Sequence, residues 1–254
     1  MRVIASSDWH LDQATAGIDR FIDICGSIDV SVQHAISAPV DVTMAVAIGA
    51  SIADSVGAKA DMYLFCGDLC DPNTSMAHRA IAKAVEVQRR CHEAGILFVA
   101  IAGNHDVIED GSGVTTLRAL GQTGRGILFE KPTVSYAFGS QCTLIALPFT
   151  AQSHDYDPDK FIRGLDIPKE HPVLIMGHLN LEGIAPGSET TEMPRGRNVY
   201  WPTEAIAECF PDAMVVGGHY HKPQEYGGVR IIGSLARMRF DEADNDLGFM
   251  TLEI

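Results

Sequence analysis

Positive charge is scarce in this sequence. Nineteen lysines and arginines stand against 33 aspartates and glutamates, and the net charge at pH 7 is −14. Proteins that hold long nucleic acids do so largely through Lys and Arg contacts to phosphates, so an extended basic face is not expected. A local phosphate-binding patch and ordinary surface charge are equally good interpretations of the basic residues Arg195, Arg197, Lys222, Arg230, Arg237 and Arg239.

Long apolar runs are also missing. The longest, such as Ile96–Ala102 and Val42–Ile52, fall far below the roughly 20 residues of a membrane-spanning helix, so no membrane contact is expected. The first five residues, MRVIA, leave no room for a secretory signal before the first motif. This favours a cytoplasmic protein.

Cysteines are few and scattered, at positions 25, 66, 70, 91, 142 and 209. They lack the dense spacing of a disulfide framework, and reduced thiols are expected. Cys66 and Cys70 flank Asp68 and suggest a thiolate zinc site as an alternative. That alternative is disfavoured because such sites commonly use CxxC pairs.

Five short apolar runs each end at residues of the metal-ligand type. They are Arg2–Ser6, Met62–Cys66, Leu97–Ala102, Pro172–Met176 and Ala213–Val216. Such runs are typical of buried strands. Segments of helical composition, Val32–Ala58 and Ser75–Ala94, separate the first three runs, and Gly95 is placed as a helix stop. The alternation predicts parallel pairing, with the ligand groups along one sheet edge.

The middle and end of the chain contain further β-rich segments, namely Thr133–Phe138, Cys142–Pro148, Val229–Ile232 and Phe249–Ile254. They resemble antiparallel hairpins and predict a second sheet packed on the first, with helices outside. The length of 254 residues and the apolar content of 46% suit one compact domain over residues 1–254.

One long stretch, Leu179–Pro202, is rich in Gly, Pro, Ser and Thr. A loop of this length is usually functional or disordered. Because it follows His178 directly, we expect it to border the site and help select substrate, with Arg195 and Arg197 as candidate substrate-binding residues. A mobile insertion is the alternative.

The residues after the five apolar runs form an ordered set of ligand types. They are Asp8 and His10, then Asp68 and Asp71, then Asn104, His105 and Asp106, then His178, and finally His219 and His221. Hard divalent cations prefer such oxygen and imidazole ligands. Any single histidine here would more often be an ordinary one, but five motifs in order are not expected by accident. The histidines outside the set, at positions 34, 78, 92, 154 and 171, are interpreted as surface or packed residues.

The pattern indicates a two-metal hydrolase. A carboxylate such as Asp68 can bridge two cations because both of its oxygens accept, and Asn104 offers a neutral oxygen that limits negative charge. Two metals about 3.5–4 Å apart lower the pKa of a bridging water to yield hydroxide and neutralise phosphoryl oxygens. His105 is then placed to protonate the leaving oxygen.

The motifs SDWHL, GDLCD, GNHD and GHYHKPQ resemble the calcineurin-like metallophosphoesterase superfamily, and in particular its Mre11/SbcD branch of DNA-repair nucleases. The resemblance implies an α/β fold, a four-layer αββα sandwich of two mixed sheets flanked by helices. It also implies two divalent ions, in this branch typically Mn²⁺. One would be held by Asp8, His10, Asp68 and His221, and the other by Asp68, Asn104, His178 and His219.

The resemblance implies further roles near the metals. His105 matches the catalytic histidine and Asp71 the carboxylate that orients it, while Asp106 is given a supporting structural role. A homodimer would suit the branch. Asp12 departs from the branch, where Gly is frequent, and adds a carboxylate at the site mouth. In this branch a capping domain and a segment that docks a Rad50/SbcC-type ATPase normally follow the closing strand, which LGFMTLEI resembles, and neither is expected in this protein.

Three functions remain open at this point. The favoured one is a manganese-dependent nuclease for DNA, with a separate ATPase or other protein supplying the grip on DNA. The second is a phosphodiesterase or phosphatase for small or cyclic nucleotides, which suits the acidic composition. The third is a binding module that retains the fold without catalysis, against which the intact ligand set argues.

Overall fold

The computed structural model describes residues 1–37, 59–71, 74–75, 77–108, 112–137, 142–149, 156–168, 170–184 and 199–254. Its strands are β1 (Arg2–Ser6), β2 (Ala14–Thr15), β3 (Ile18–Asp19), β4 (Met62–Phe65), β5 (Leu97–Ile101), β6 (Gly126–Phe129), β7 (Thr133–Ala137), β8 (Cys142–Leu147), β9 (Val173–Gly177), β10 (Met214–Gly217), β11 (Gln224–Tyr226), β12 (Val229–Ile231) and β13 (Met250–Glu253). Its helices are α1 (Phe21–Ile36), α2 (Ala77–Glu93), α3 (Arg118–Gly121), α4 (Pro158–Arg163) and α5 (Thr203–Cys209), with a 3₁₀ turn at Phe240–Glu242.

Two mixed sheets form the framework. The first has the strand order β13-β1-β4-β5-β6, in which β1, β4, β5 and β6 are parallel and β13 is antiparallel to β1. The second has the order β11-β12-β10-β9-β8-β7, with β8, β9, β10 and β12 parallel. The short strands β2 and β3 form a separate hairpin.

Alternation along the strands explains why the sheets stack. In β1, Val3 and Ala5 face the second sheet, where they pack with residues such as Leu174 and Val216, whereas Ile4 packs under the helices. This is the two-residue period of a strand buried on both faces. The first sheet thus contributes side chains to two cores.

Helices cover the outer face of each sheet. Helices α1 and α2 pack on the first sheet through apolar residues spaced three or four apart, such as Ala80, Ala84, Val87 and Cys91 of α2. Helices α4 and α5 pack on the second sheet through Ile162, Ala205 and Ile206. The predicted four-layer αββα arrangement of two mixed sheets flanked by helices is confirmed.

Several boundaries agree with the sequence. The helix predicted over Ser75–Ala94 is α2, and Gly95 follows it with a φ of +68°, the left-handed conformation that suits glycine after a helix.

All six cysteines are free. Within the described ranges, no helix is long and apolar enough to cross a membrane.

The helix predicted over Val32–Ala58 was wrong at its start, because α1 begins at Phe21. Ile24, Ile28 and Val32 are buried at four-residue spacing and carried the missed helical signal. Residues 38–58, the remainder of that prediction, lie outside the described residues.

The predicted sheet assignments also need correction. The segment Phe249–Ile254 was expected in the second sheet, but β13 pairs with β1 in the first, with Leu252 opposite Val3. The three strands predicted to pair in parallel, β1, β4 and β5, do lie together in the first sheet. The other two ligand-bearing strands, β9 and β10, lie in the second sheet. Burial patterns identify strands, but they do not identify which sheet a buried strand joins.

The stretch Leu179–Pro202 is ordered at its ends, contrary to the expectation of a structureless loop. Asn180 N–H donates to Val199 O at 2.9 Å, and Trp201 N–H donates to Asn180 O at 2.8 Å. Leu179, Leu181 and Trp201 are buried in the core under α5. Residues 185–198, which include Arg195 and Arg197, lie outside the described part of the chain.

Candidate metal centre

The candidate ligands lie in the turns that follow five parallel strands. Asp8 and His10 follow β1, Asp68 follows β4, Asn104 follows β5, His178 follows β9, and His219 and His221 follow β10. The carboxyl ends of parallel strands collect at one edge of a sheet, and each ligand group combines residues that follow strands of both sheets. The ligands from both sheets consequently meet in one cluster.

The backbone of these turns is strained. Asp8, His10, Asp68 and His219 have φ values of +51°, +40°, +61° and +86°. Residues other than glycine rarely adopt this left-handed region, although aspartate and histidine do so more readily than most, and such backbone strain commonly accumulates at functional sites. Hydrogen bonds between backbone groups stabilise these turns. For example, Asp8 N–H donates to Gly67 O at 2.9 Å, which connects the turn after β1 to the turn after β4.

The first ligand group consists of Asp8, His10 and His221. Each contributes one ligand atom, and these atoms lie within 4.8 Å of one another. His10 Nε2 lies 3.2 Å from His221 Nε2. The Asp8 carboxylate also accepts from the N–H of His219 at 3.1 Å, which joins the strand-end turns of the two sheets.

The second group consists of Asp68, His178 and His219, again within 4.8 Å. Asn104 lies among them, with its Oδ1 3.0 Å from His178 Nε2 and 3.1 Å from His219 Nδ1. The amide oxygen is thus placed where a fourth ligand of this group would be needed.

Asp68 lies between the two groups. Its Oδ2 is 3.2 Å from His178 Nε2 and 3.8 Å from His10 Nε2, while its Oδ1 accepts from the N–H of His105 at 2.9 Å. One oxygen therefore faces both groups. Bridging through both oxygens was expected, whereas here the second oxygen accepts from the backbone of His105.

The donor set fits two cations. His178 Nδ1 lies 2.7 Å from Cys66 O, which can only accept, so this nitrogen carries the proton and Nε2 turns a lone pair towards Asp68 and Asn104. Lone pairs facing other acceptors at about 3 Å repel unless a proton or a cation lies between them. The same geometry recurs at His221, whose Nδ1 lies 2.7 Å from Glu242 Oε1 while its Nε2 faces His10.

Burial and mutual charge shift the pKa values strongly. Burial raises the pKa of Asp8 to about 6. Burial, and next the neighbouring His178, lower the pKa of His219 to about 3. Burial acts against a charged His178, but the Asp68 carboxylate overrides it and raises the pKa of that imidazole to about 10. Without a metal, a second proton, on Nε2 of His178, thus compensates the Asp68 charge at the position where a cation would otherwise be needed.

A cavity of about 230 Å³ opens next to the first group. It is lined by His10, Asp12, Gln13, Asp71, Thr74, His105, His221, Met238 and Arg239. The ring of His105 lies edge-on to His10, with centroids 5.1 Å apart. The proposed acid and the carboxylate expected to orient it, Asp71, therefore line the same cavity as two metal-ligand candidates.

Two carboxylates of this region, Asp106 and Asp12, accept hydrogen bonds from backbone N–H groups. Asp106 is fully buried and accepts from the N–H groups of Gly103, Asp68 and Leu69 and from the Thr116 hydroxyl, at 2.8–2.9 Å. This is the structural role expected for it. Asp12 Oδ2 accepts from Asp71 N–H at 3.0 Å, which places its charge at the cavity.

Sequence reasoning missed two residues that contact the ligands. Glu242 lies against His221, and Asn180 places its Oδ1 3.1 Å from His219 Nε2. Asn180 lies two residues after His178, which was a usable signal, whereas Glu242 lies in an irregular segment without a motif. The thiolate alternative gains no support, because neither ligand group found among the described residues contains Cys66 or Cys70.

A model of the calcineurin-like phosphoesterase family matches residues 1–223, and the chain belongs to that family. Membership supports a metal-dependent hydrolase, in agreement with the two ligand groups. No curated protein matches the sequence.

Two solved structures resemble the fold. A dimetal phosphatase from Danio rerio is 10% identical, with 99% of this chain and 91% of that chain covered and a TM-score of 0.51. A protein from Thermus thermophilus is 12% identical, with 92% and 89% covered and a TM-score of 0.49. At this identity, the likeness to the Danio rerio phosphatase shows the fold alone.

Proposed function

We propose that this protein is a two-metal phosphodiesterase that cleaves DNA, as a member of the Mre11/SbcD-like branch. The observation that carries the proposal is the position of Asp68, whose Oδ2 faces both ligand groups beside a cavity that also contains His105. The motif resemblance to the nuclease branch supports DNA as the substrate.

In this proposal, Asp8, His10, Asp68 and His221 hold one cation, and Asp68, Asn104, His178 and His219 hold the other. Bound divalent cations, here proposed to be Mn²⁺, supply charge neutralisation at the phosphate and acidify the attacking water. The protein contributes a rigid frame, since Asp106 fixes the backbone by accepting hydrogen bonds from the N–H groups of Asp68, Leu69 and Gly103.

His105 acts as the general acid that donates a proton to the leaving oxygen, and Asp71 orients it. The backbone N–H of His105 donates to Asp68 Oδ1, so a hydrogen bond fixes the acid relative to the carboxylate that lies between the two ligand groups. A positioned acid of this kind contributes about 10²–10⁴ in rate.

Arg195 and Arg197 are proposed to bind substrate from the stretch that follows His178. We propose that the protein forms a homodimer and that a Rad50/SbcC-type ATPase is its partner in DNA cleavage in the cytoplasm. We also propose that residues 1–254 form a single domain.

A second candidate function is hydrolysis of small or cyclic nucleotides. It is favoured by the cavity of about 230 Å³, in which the carboxylates Asp12 and Asp71 face the entering substrate. A polyanion such as duplex DNA is repelled by such charges more strongly than a single phosphodiester. The net charge of −14 acts in the same direction.

The test is hydrolysis of labelled single- and double-stranded DNA with manganese, in parallel with bis-nitrophenyl phosphate and cyclic nucleotides. Variants His105→Ala and Asp68→Ala are compared with wild type and with His92→Ala, an exposed histidine of α2. Cleavage of DNA by wild type and His92→Ala alone would support the nuclease. Intact DNA with turnover of the small esters would move the substrate to the second candidate, and no turnover of any ester would refute both.

A further inference from the structure

Glu242 is a fully buried carboxylate in the 3₁₀ turn after the cavity wall. Its Oε1 lies 2.7 Å from His221 Nδ1. Its Oε2 accepts from the N–H of Met238 at 2.5 Å and from the N–H of Arg239 at 3.3 Å. One side chain thus contacts a candidate metal ligand and two residues that line the cavity.

The chemistry of these contacts requires a carboxylate. An ionised carboxylate only accepts, and all three of these neighbours present an N–H to it. The contact therefore keeps the proton of His221 on Nδ1 and turns the lone pair of Nε2 into the first ligand group. A carboxylate behind a ligating imidazole fixes the ring orientation and raises its basicity, and losing such a partner typically costs 10- to 100-fold in metal affinity.

We propose that Glu242 is a positioning residue that holds His221 as a metal ligand and joins it to the Met238–Arg239 wall of the cavity. The inference rests on the proposed metal ligation by His221. The inference goes beyond that ligation because it assigns two roles to the buried Glu242 side chain: it fixes the tautomer of His221, and it places the wall of the cavity that substrate contacts.

The substitution Glu242→Gln tests this with almost no change in shape. Glutamine has one accepting oxygen, so either His221 Nδ1–H or the two backbone N–H groups would face its NH₂ group. We expect one of two bound Mn²⁺ ions to bind about 10- to 100-fold more weakly, as measured by equilibrium dialysis without substrate. Glu225→Gln, an exposed carboxylate of β11 with 64% side-chain exposure, is the matched control and should bind both ions as wild type does.

A double-mutant cycle separates positioning from a merely structural role. The Mn²⁺ affinity of His221→Ala should be the same with and without Glu242→Gln, because the carboxylate acts through the imidazole. Equal losses in both backgrounds would overturn the proposal, as would unchanged binding by Glu242→Gln while wild type binds two ions. Failure of wild type to bind two ions would instead refute the proposed function and this inference together.

A measurement on the unmutated protein avoids dependence on how the variant folds. Nitrogen NMR of the zinc-loaded, ¹⁵N-histidine-labelled protein should show His221 with its proton on Nδ1 and its Nε2 bound to the metal. A proton on Nε2 would overturn the proposal directly.

Discussion

Gly103 of the GNHD motif offers a sharp steric test of the central carboxylate. A Cβ at this position would lie 2.1 Å from Asp68 Oδ1 and 2.6 Å from Asp68 N. Rotation of the Asp68 side chain relieves only the first contact, because the second involves backbone. Gly103→Ala must therefore displace the turn that presents Asp68 to both ligand groups.

The expected size follows from overpacking of a rigid, buried turn, which typically costs about 1–3 kcal/mol. For a chain of this length each kcal/mol lowers the melting temperature by roughly 2–4 °C. Because Asp68 Oδ2 faces both groups, binding of both cations should weaken. Thermal melts and equilibrium dialysis with Mn²⁺ measure the two effects.

The matched control is Gly26→Ala in α1, where a Cβ meets no atom within 4 Å. Alanine is favoured over glycine inside a helix by about 0.5–1 kcal/mol, so this variant should melt slightly higher. If Gly103→Ala bound two cations with wild-type affinity and melted like wild type, the placement of Asp68 described here would be wrong.

Three further outcomes are expected. His105→Ala should lower kcat by about 10²–10⁴-fold with unchanged metal content, and loss of metal instead would contradict its role as an acid. Asp106→Asn should lower the free energy of unfolding in urea by about 1–3 kcal/mol, because an amide places N–H groups against buried donors; wild-type stability would contradict this. Burial, and next Arg2, lower the pKa of His34 from its usual 6.5. The neutral form of His34 therefore contributes to the free energy of unfolding above that pH, and this contribution is lost as the pH falls below it. Between about pH 7 and about pH 5, the free energy of unfolding should fall less in His34→Gln than in wild type, and equal falls would refute this.

The strands and the ligand types were predictable because they depend on local sequence. Each apolar run that ends at a ligand residue became a strand, as with Arg2–Ser6 before Asp8 and Leu97–Ile101 before Asn104. Burial on both faces requires apolar residues at every position, and that pattern is visible without knowing the partner strand.

The sheet membership of these strands was not predictable in the same way. β9 and β10 are as apolar as β4 and β5, yet they join the other sheet, and β13 joins the first sheet beside β1. Strand pairing is decided by how whole surfaces pack, and apolar pattern alone does not distinguish the choices. The site consequently spans two sheets.

The family, the four-layer class and the residue types available for metal chemistry can be identified from the chain's motifs and apolar periods, because these are local properties. The single oxygen that Asp68 offers to both ligand groups, and the positions of Glu242 and Asn180 behind His221 and His219, depend instead on how the chain packs. These contacts join residues 21 to 110 positions apart. They exist only because packing brings the ends of strands from two sheets, and the turn after them, into one buried cluster.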